Sequence, residues 1–331
     1  MNHPFSGQDD GDFSALIKKA RRKTILRNVA ISLVISVLVL FVGTVGNSQL
    51  LQRSADHALR DIGLFKQISG PNLYESGYVQ RHGFLNGMLE YRTYKIVEGI
   101  PVVWSTQTVE YNAWGNFSRI PGNYSPIQIP DTELTKQHFD YYRPYNQQNG
   151  QREMMFYLPG VDYGGKWIND LPSVDQMDAA KLVELGISLD QSYTLAEVKA
   201  MLPAGVRPVW YWVDTYNDRA GYEPQTMEGG THYPMPEQAF SVYGFGIDPE
   251  RENVTEEDFL QMIEIGLGVG GKYHGEYQRI YDYLRQEKDK PSSSDVKLLG
   301  VVVTGTAESL KALKGKPYVK AAVLGAVISK Y

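Results

Sequence analysis

Residues 29–46 read VAISLVISVLVLFVGTVG, an eighteen-residue run with neither charge nor proline. Wound as an α-helix at about 1.5 Å per residue, the run measures roughly 27 Å, close to the ~30 Å hydrocarbon core of a bilayer. It predicts one uncleaved membrane-spanning helix. A secretory signal peptide has a shorter apolar core, and the end of this run, TVGNSQL, lacks a small-residue cleavage pattern. A buried core helix is also a poorer fit, because the uncharged run follows directly on a basic cluster. Lys18, Lys19, Arg21, Arg22, Lys23 and Arg27 precede it, whereas Arg53 and Arg60 after it are offset by Asp56 and Asp61. The positive-inside rule therefore places the N-terminus in the cytoplasm and everything after about Asn47 outside, as a single-pass protein of the cell membrane.

The flanking composition separates at the same point. Overall the 331 residues are 42% apolar, 21% charged and 12% aromatic, which excludes a disordered or collagen-like chain. The net charge is −5, from 33 Lys and Arg against 38 Asp and Glu. Residues 1–28 carry six of the basic and three of the acidic groups, a net of +3, so the remainder stands at −8. An acidic outer part lacks the phosphate-seeking patches of a nucleic-acid binder, and no direct nucleic-acid contact is expected. The chain has no Cys, which removes disulfides, thiol nucleophiles, thiolate zinc sites and iron–sulfur clusters. Its 23 Tyr supply amphipathic rings suited to sheets and to wet binding surfaces.

Within the tail, Phe13, Leu16, Ile17 and Ala20 recur at helical spacing beside the basic cluster, predicting a short amphipathic helix over Phe13–Leu26. Phe13, Leu16, Ile17, Lys18, Lys19, Arg21 and Arg22 are the candidate partner-binding residues, although the basic cluster also suffices as a topology signal. Beyond the membrane run, Leu51, Ala55, Leu59 and Ile62 predict that the helix continues as a stalk until Gly70 and Pro71 end it. The β-rich composition of Tyr91–Val97 and Val102–Tyr111, with a turn at Glu98–Pro101 between them, predicts a hairpin. A Pro-, Gly- and Asn-rich region follows, with a domain boundary expected between Gly160 and Pro172. Further on, Thr194–Glu197 and Thr255–Asp258 are capping-box patterns that open helices, Val209–Thr215 reads as a strand, and a helix is expected around Tyr277–Gln286. Val296–Val303, Ala307–Leu313 and Val319–Ile328 read as strand, helix and strand, an α+β or split βαβ layer with the Val209 strand as neighbour. The fold class expected is thus an α+β ectodomain, with a β-rich N-terminal lobe and an α/β C-terminal lobe, on a single transmembrane helix. Its divisions are a tail (1–28), the membrane helix (29–46), a stalk with the β-rich region (47–165) and the α+β region (175–331).

Catalytic patterns fail on context. Gly266–Gly271 formally contains G-x-G-x-x-G, but helix-like residues precede it where a dinucleotide site needs a strand. Ser294 and Lys297 match S-x-x-K across a polar linker, which cannot place both groups on one helix face. His57, His82 and His138 have no ligand spacing; His232 and His274, with Asp214 or Asp218, form a metal or acid–base site only if the fold brings them together. Trp210, Tyr211 and Trp212 are successive strand residues and point to alternate faces, so core packing is favoured over a binding platform. No catalytic residue, cofactor or metal is assigned.

Several phrases nevertheless resemble a known family. Tyr193–Val198, Val209–Tyr216, Tyr243–Gly246, Leu299–Thr306 and Val319–Ala322 resemble the C-terminal domain of the sigma factor regulators, the membrane anti-sigma factors of extracytoplasmic-function sigma factors. The segment from the basic juxtamembrane stretch through Val102–Trp104 to Tyr111–Gly115 is similar to the matching N-terminal domain. The resemblance implies a non-enzymatic single-pass protein that negatively controls such a sigma factor in response to envelope state. The tail, with His3 and no Cys, cannot form a zinc module. The implied sigma-factor contact is then made either by the Phe13–Leu26 helix or through another membrane subunit that supplies the inhibitory domain. A different reading, a membrane-anchored extracytoplasmic binding protein without a transcriptional role, draws on the Tyr-rich surface; an anchored enzyme has no residue set to support it.

Overall fold

A computed structural model describes residues 9–119, 125–130, 142–228, 230–247 and 254–329. Helix α1 (Asp9–Lys66) is one uninterrupted element of 58 residues, about 87 Å long at 1.5 Å per residue. It is the one described helix long and apolar enough to cross a membrane, and no residue of its most apolar window is buried in the fold. The helix continues past residue 47 as its apolar spacing predicts, but it does not stand free as a stalk. Leu51, Ala55, Ala58 and Ile62 are fully buried, as is Ile68 just after the helix, and Phe65 nearly so, because the folded lobe wraps this end of the helix. The 4-3-4-3 spacing of these positions keeps one stripe turned inward, and the two alanines allow close approach.

Three antiparallel strands follow, β1 (Tyr74–His82), β2 (Asn86–Val97) and β3 (Ile100–Asn112), in the order β1-β2-β3. The expected hairpin is present and longer than its composition predicts. Its turn is only Glu98–Gly99, both at positive φ (50° and 80°), the two-residue type that matches the twist of the flanking strands. Pro101 lies in edge strand β3, where its missing N–H is tolerated. Short strands β4 (Ile127–Pro130) and β5 (Tyr142–Tyr145) pair with each other, and β6 (Met155–Phe156) precedes the single-turn helix α2 (Leu171–Asp175).

The second sheet contains β7 (Leu182–Tyr193), β8 (Arg207–Val213), β12 (Gly244–Gly246), β13 (Leu298–Thr306) and β14 (Val319–Ile328), all antiparallel in the order β12-β8-β13-β7-β14. Two-residue and three-residue strands β9 (Gln225–Met227), β10 (Gly230–His232) and β11 (Glu237–Gln238) lie between β8 and β12. Helix α3 (Leu195–Met201) joins β7 to β8, and α6 (Ala307–Leu310) with a following 3-10 turn joins β13 to β14. Each connected pair is separated by one strand of the other pair, so two split βαβ units interlock as in a ferredoxin-like layer. Helices α4 (Glu256–Val269) and α5 (His274–Arg285) are inserted between β12 and β13. Both capping boxes are formed: Thr194 N–H donates to Glu197 and Thr255 N–H to Asp258, at 2.8 Å each. Central strand β7 is absent from the strands expected above, although Val183, Leu185, Ile187 and Leu189 alternate along it.

Both faces of this sheet are covered. One packs on α1, α4 and α5 through Tyr211, Val301, Phe259, Ile263 and Ile280. The other carries Trp210 and Trp212 against Met154, Phe156 and Leu158. Residues 154–170 thus lie on the C-terminal sheet, where Tyr157 N–H donates to Ser188 Oγ (2.8 Å) and Asp170 N–H to the Ala322 carbonyl (2.7 Å).

Candidate functional site

The candidate tail residues sit on the first turns of α1, and the structure leaves them exposed. Phe13, Leu16 and Ile17 are open to solvent, and so are Lys18, Lys19, Arg21 and Arg22. With about 100° between successive residues, Phe13, Leu16, Ile17 and Ala20 fall within one arc, Lys18 and Arg22 opposite it, and Lys19 and Arg21 to either side. The Thr24 hydroxyl donates back to the Ala20 carbonyl (3.0 Å) within a helix that runs on without a break into the apolar run.

The other end of α1 is held by three kinds of contact. Aliphatic burial comes first: each fully buried Leu or Ile contributes about 1.5–3 kcal/mol relative to its exposed state. Second, Phe65 stacks on Tyr273 (centroids 3.9 Å apart, planes 10° apart) and meets Tyr243 and Tyr277 edge-on. Third come polar locks. Asp61, almost wholly buried, accepts the Lys272 backbone N–H (2.9 Å) and the Arg60 guanidinium (3.0 Å). Gly271 permits this approach, since a Cβ there would stand 2.2 Å from the Asp61 carboxylate. Lys66 pairs with Glu75 on β1 and lies over the Tyr91 ring at 4.1 Å. Burial pushes the Lys66 ammonium below the ordinary lysine value, with Glu75 opposing the shift. Burial likewise raises the Tyr243 hydroxyl to about 12 and that of Tyr277 further.

A buried ion pair then ties the two sheets together. Lys95 on β2 donates to Glu184 on β7 at 2.7 Å, with the two side chains 2% and 0% exposed. Glu184 also accepts Asn72 Nδ2 (2.7 Å) and the Ala326 N–H (3.0 Å), and Lys95 lies 4.1 Å over the Trp104 ring. Three donors converge on one carboxylate, which fixes the segment leaving α1, the hairpin and the C-terminal sheet in one arrangement. Asp170 plays a similar part on the far side, accepting Arg143 (2.8 Å), Arg152 (2.9 Å) and the Leu324 N–H (2.9 Å). A cleft of about 510 Å³ opens beside the end of α1, lined by Lys66, Tyr74, Glu75, Trp210, Phe245 and Phe259 among others.

The remaining sequence candidates do not assemble. Among the described residues no three His, Asp or Glu side chains are grouped to hold a metal. Asp214 pairs with Arg219 (3.0 Å), Asp218 accepts the Ala220 N–H (2.9 Å), His232 is on β10 and His274 opens α5. His57 lies on α1 and His82 ends β1, while His3 and His138 fall outside the described residues. Trp210, Tyr211 and Trp212 are all buried, on alternate faces, which removes them as a binding platform. The glycine cluster is a helix end: Gly270 caps α4 at φ 61°, and Gly266 faces the Tyr277 ring, where a Cβ would stand 2.3 Å away. Ser294 belongs to a 3-10 turn. The local sequence marks the Asn72–Lys95–Glu184 cluster only by a charged residue inside each of two strand patterns.

Fold and site together define an α+β lobe carried on one helix long and apolar enough to cross a membrane, with a basic amphipathic segment at the helix start. Residues 14–102 match the family described as Sigma factor regulator N-terminal, and residues 174–326 the family described as Sigma factor regulator C-terminal. The chain belongs to the sigma factor regulator family. Its two domains mark it as an anti-sigma-type regulator of a generally non-enzymatic family, and they imply interaction with a sigma factor. No curated protein matches the chain in a sequence search, and no solved structure matches it.

Proposed function

We propose that this chain negatively controls an extracytoplasmic-function sigma factor in response to the state of the envelope, with its tail in the cytoplasm and its lobe outside. In this reading residues 1–28 meet the partner, 29–46 cross the membrane, and the regions 47–165 and 175–331 form the receiving lobe. The observation that carries it is α1 itself, a single helix whose first turns expose the Phe13–Arg22 surface and whose last turns form core of the lobe. Any change in how the lobe sits is thereby transmitted to the tail without a joint. The sigma factor is bound by the tail directly or through a second membrane subunit.

Crosslinking and affinity capture from native membranes distinguishes these routes. A sigma factor recovered with the full chain and lost on deleting residues 1–28 supports direct tethering. A membrane protein recovered with both chains, bringing the sigma factor with it, supports the indirect route. An unchanged transcript profile on deleting the gene under envelope stress refutes sigma control. The cleft beside Lys66 and Glu75, of a size that holds small ligands, favours a second reading as an anchored extracytoplasmic binding protein. Unaltered thermal stability across a panel of envelope components would refute that one.

A further inference from the structure

Asn47, one residue beyond the apolar run, is hydrogen-bonded to the lobe. Its side chain spans the turn between β1 and β2: Asn47 Nδ2 donates to the Gly83 carbonyl (2.9 Å) and Asn47 Oδ1 accepts the Leu85 N–H (2.7 Å). A second loop, after β3, is attached to the first, because Ala113 N–H donates to the Leu85 carbonyl (3.0 Å). Asn112 Oδ1 shapes that loop by accepting the N–H groups of Trp114 (3.0 Å) and Asn116 (3.1 Å). Each loop leaves one large ring uncovered. Phe84 is 79% and Trp114 73% exposed, the most exposed aromatic side chains among the described residues. Leu85 is held at φ 59°, a left-handed conformation that a leucine keeps only where its surroundings impose it.

Height decides what meets these rings. The eighteen-residue run spans about the thickness of a hydrocarbon core, so Asn47 stands where hydrocarbon gives way to headgroups. The two loops are hydrogen-bonded to that level. Aromatic side chains are enriched there because an apolar ring body gains from the acyl boundary while an indole N–H stays hydrated. The loop tips themselves, residues 83–85 and 113–116, carry no charged side chain, and the nearby Arg81 is paired with Glu90 at 3.9 Å, so no charge has to be taken out of water to seat them.

We infer that the loops at residues 83–85 and 113–116 seat the lobe on the outer lipid interface of the bilayer that α1 crosses, with Phe84 and Trp114 as the anchors. The occupant of this surface is lipid, and the inference rests on α1 spanning the membrane. Seated in this way, the lobe touches the membrane at three points, the helix and two loops, which fixes the tilt of α1 and lobe together against the bilayer.

Because the chain has no Cys, one introduced Cys carries a spin label at a unique place. The full chain in phosphatidylcholine vesicles is labelled singly at Asn116→Cys at the end of the second loop, Val103→Cys on the lobe surface and Leu38→Cys within the span. Collision of each label with oxygen and with a water-soluble nickel chelate reports depth. The expected result is a deep label at Leu38→Cys, a water-exposed one at Val103→Cys, and an interfacial one at Asn116→Cys that moves to water when Phe84→Ser and Trp114→Ser are added. Circular dichroism confirms that this variant is folded. A water-exposed label at Asn116→Cys beside a deep one at Leu38→Cys overturns the seating and leaves the span intact. An interfacial label unmoved by the two substitutions overturns the role of the aromatic rings, and dipolar broadening at Asn116→Cys assigns the surface to a second copy instead. A water-exposed label at Leu38→Cys overturns both the span and the seating.

Discussion

Glu184→Gln removes one charge from the Lys95–Glu184 pair and keeps the shape. At 2.7 Å and an effective dielectric near 20, the mutual attraction is roughly 6 kcal/mol, most of which is offset by taking both groups out of water. The intact pair is therefore close to neutral, whereas a buried ammonium left without its counter-charge costs about 3–5 kcal/mol. The glutamine has one acceptor oxygen for three donors, Asn72 Nδ2, Lys95 Nζ and the Ala326 N–H, so its own amide hydrogens face at least one of them. At about 2–4 °C per kcal/mol for a lobe of this size, the expected fall in Tm is roughly 6–20 °C. Thermal unfolding of the full chain in detergent micelles, followed by tryptophan fluorescence, measures it, and Trp104 beside Lys95 reports locally. Adding Lys95→Met removes the uncompensated charge, so the double variant should lose less than the sum of the two singles, by about 1–3 kcal/mol. A Tm within about 2 °C of the parent for Glu184→Gln, or strict additivity in the double variant, would refute the reasoning.

Three further outcomes follow from the packing and the charges. Gly266→Ala puts a Cβ 2.3 Å from the Tyr277 ring, and the overpacking should destabilise by about 1–3 kcal/mol in denaturant titration. Leu51→Ala should cost about 2–5 kcal/mol because the site is closed on all sides, whereas Leu33→Ala on the exposed stretch of the same helix should leave the lobe within about 0.5 kcal/mol; equal effects would mean that α1 is not part of the core. Hydrogen bonds from Lys288 and Ser292 hold the Asp295 carboxyl down at about 2, below its ordinary 3.8. A depressed carboxylate contributes stability that is present above the ordinary value and fades as the pH falls from about 4 towards 2, so Asp295→Asn should flatten the acid limb of a Tm-against-pH curve.

What could be read from sequence was what neighbouring residues encode. The apolar run, the Thr194–Glu197 and Thr255–Asp258 caps and the β-branched stretches of β13 and β14 each carry their signal within a few positions, and each formed close to its expected place. Strand β7 shows where that method thins. Its core-facing alternation of Val183, Leu185, Ile187 and Leu189 is regular, but Glu184, Gly186 and Ser188 between them look like a solvated face and are in fact buried, Glu184 by its ion pair and Gly186 and Ser188 under Met154, Phe156 and Tyr157. The spacing of Leu51, Ala55 and Ile62 gave a helical stripe without saying what covers it. The buried pair joins residues 89 apart and the Asn47 bridge residues 36 and 38 apart, distances over which side-chain type alone specifies no partner. Conversely, His232, His274 and Asp214 have the chemistry of a metal site and lack the geometry.

Because α1 runs unbroken from the tail to the core, its two ends share a rotational phase. Each residue of an α-helix advances the chain by about 100° and 1.5 Å. One residue inserted between Phe13 and Asn47 would turn the Phe13–Leu16–Ile17 arc by about 100° relative to the three-stranded sheet, while seven would return it to within about 20° of its starting direction. The direction in which the tail faces is thus written in the number of residues between them as much as in their kind, so the apolar run sets an azimuth as well as a length.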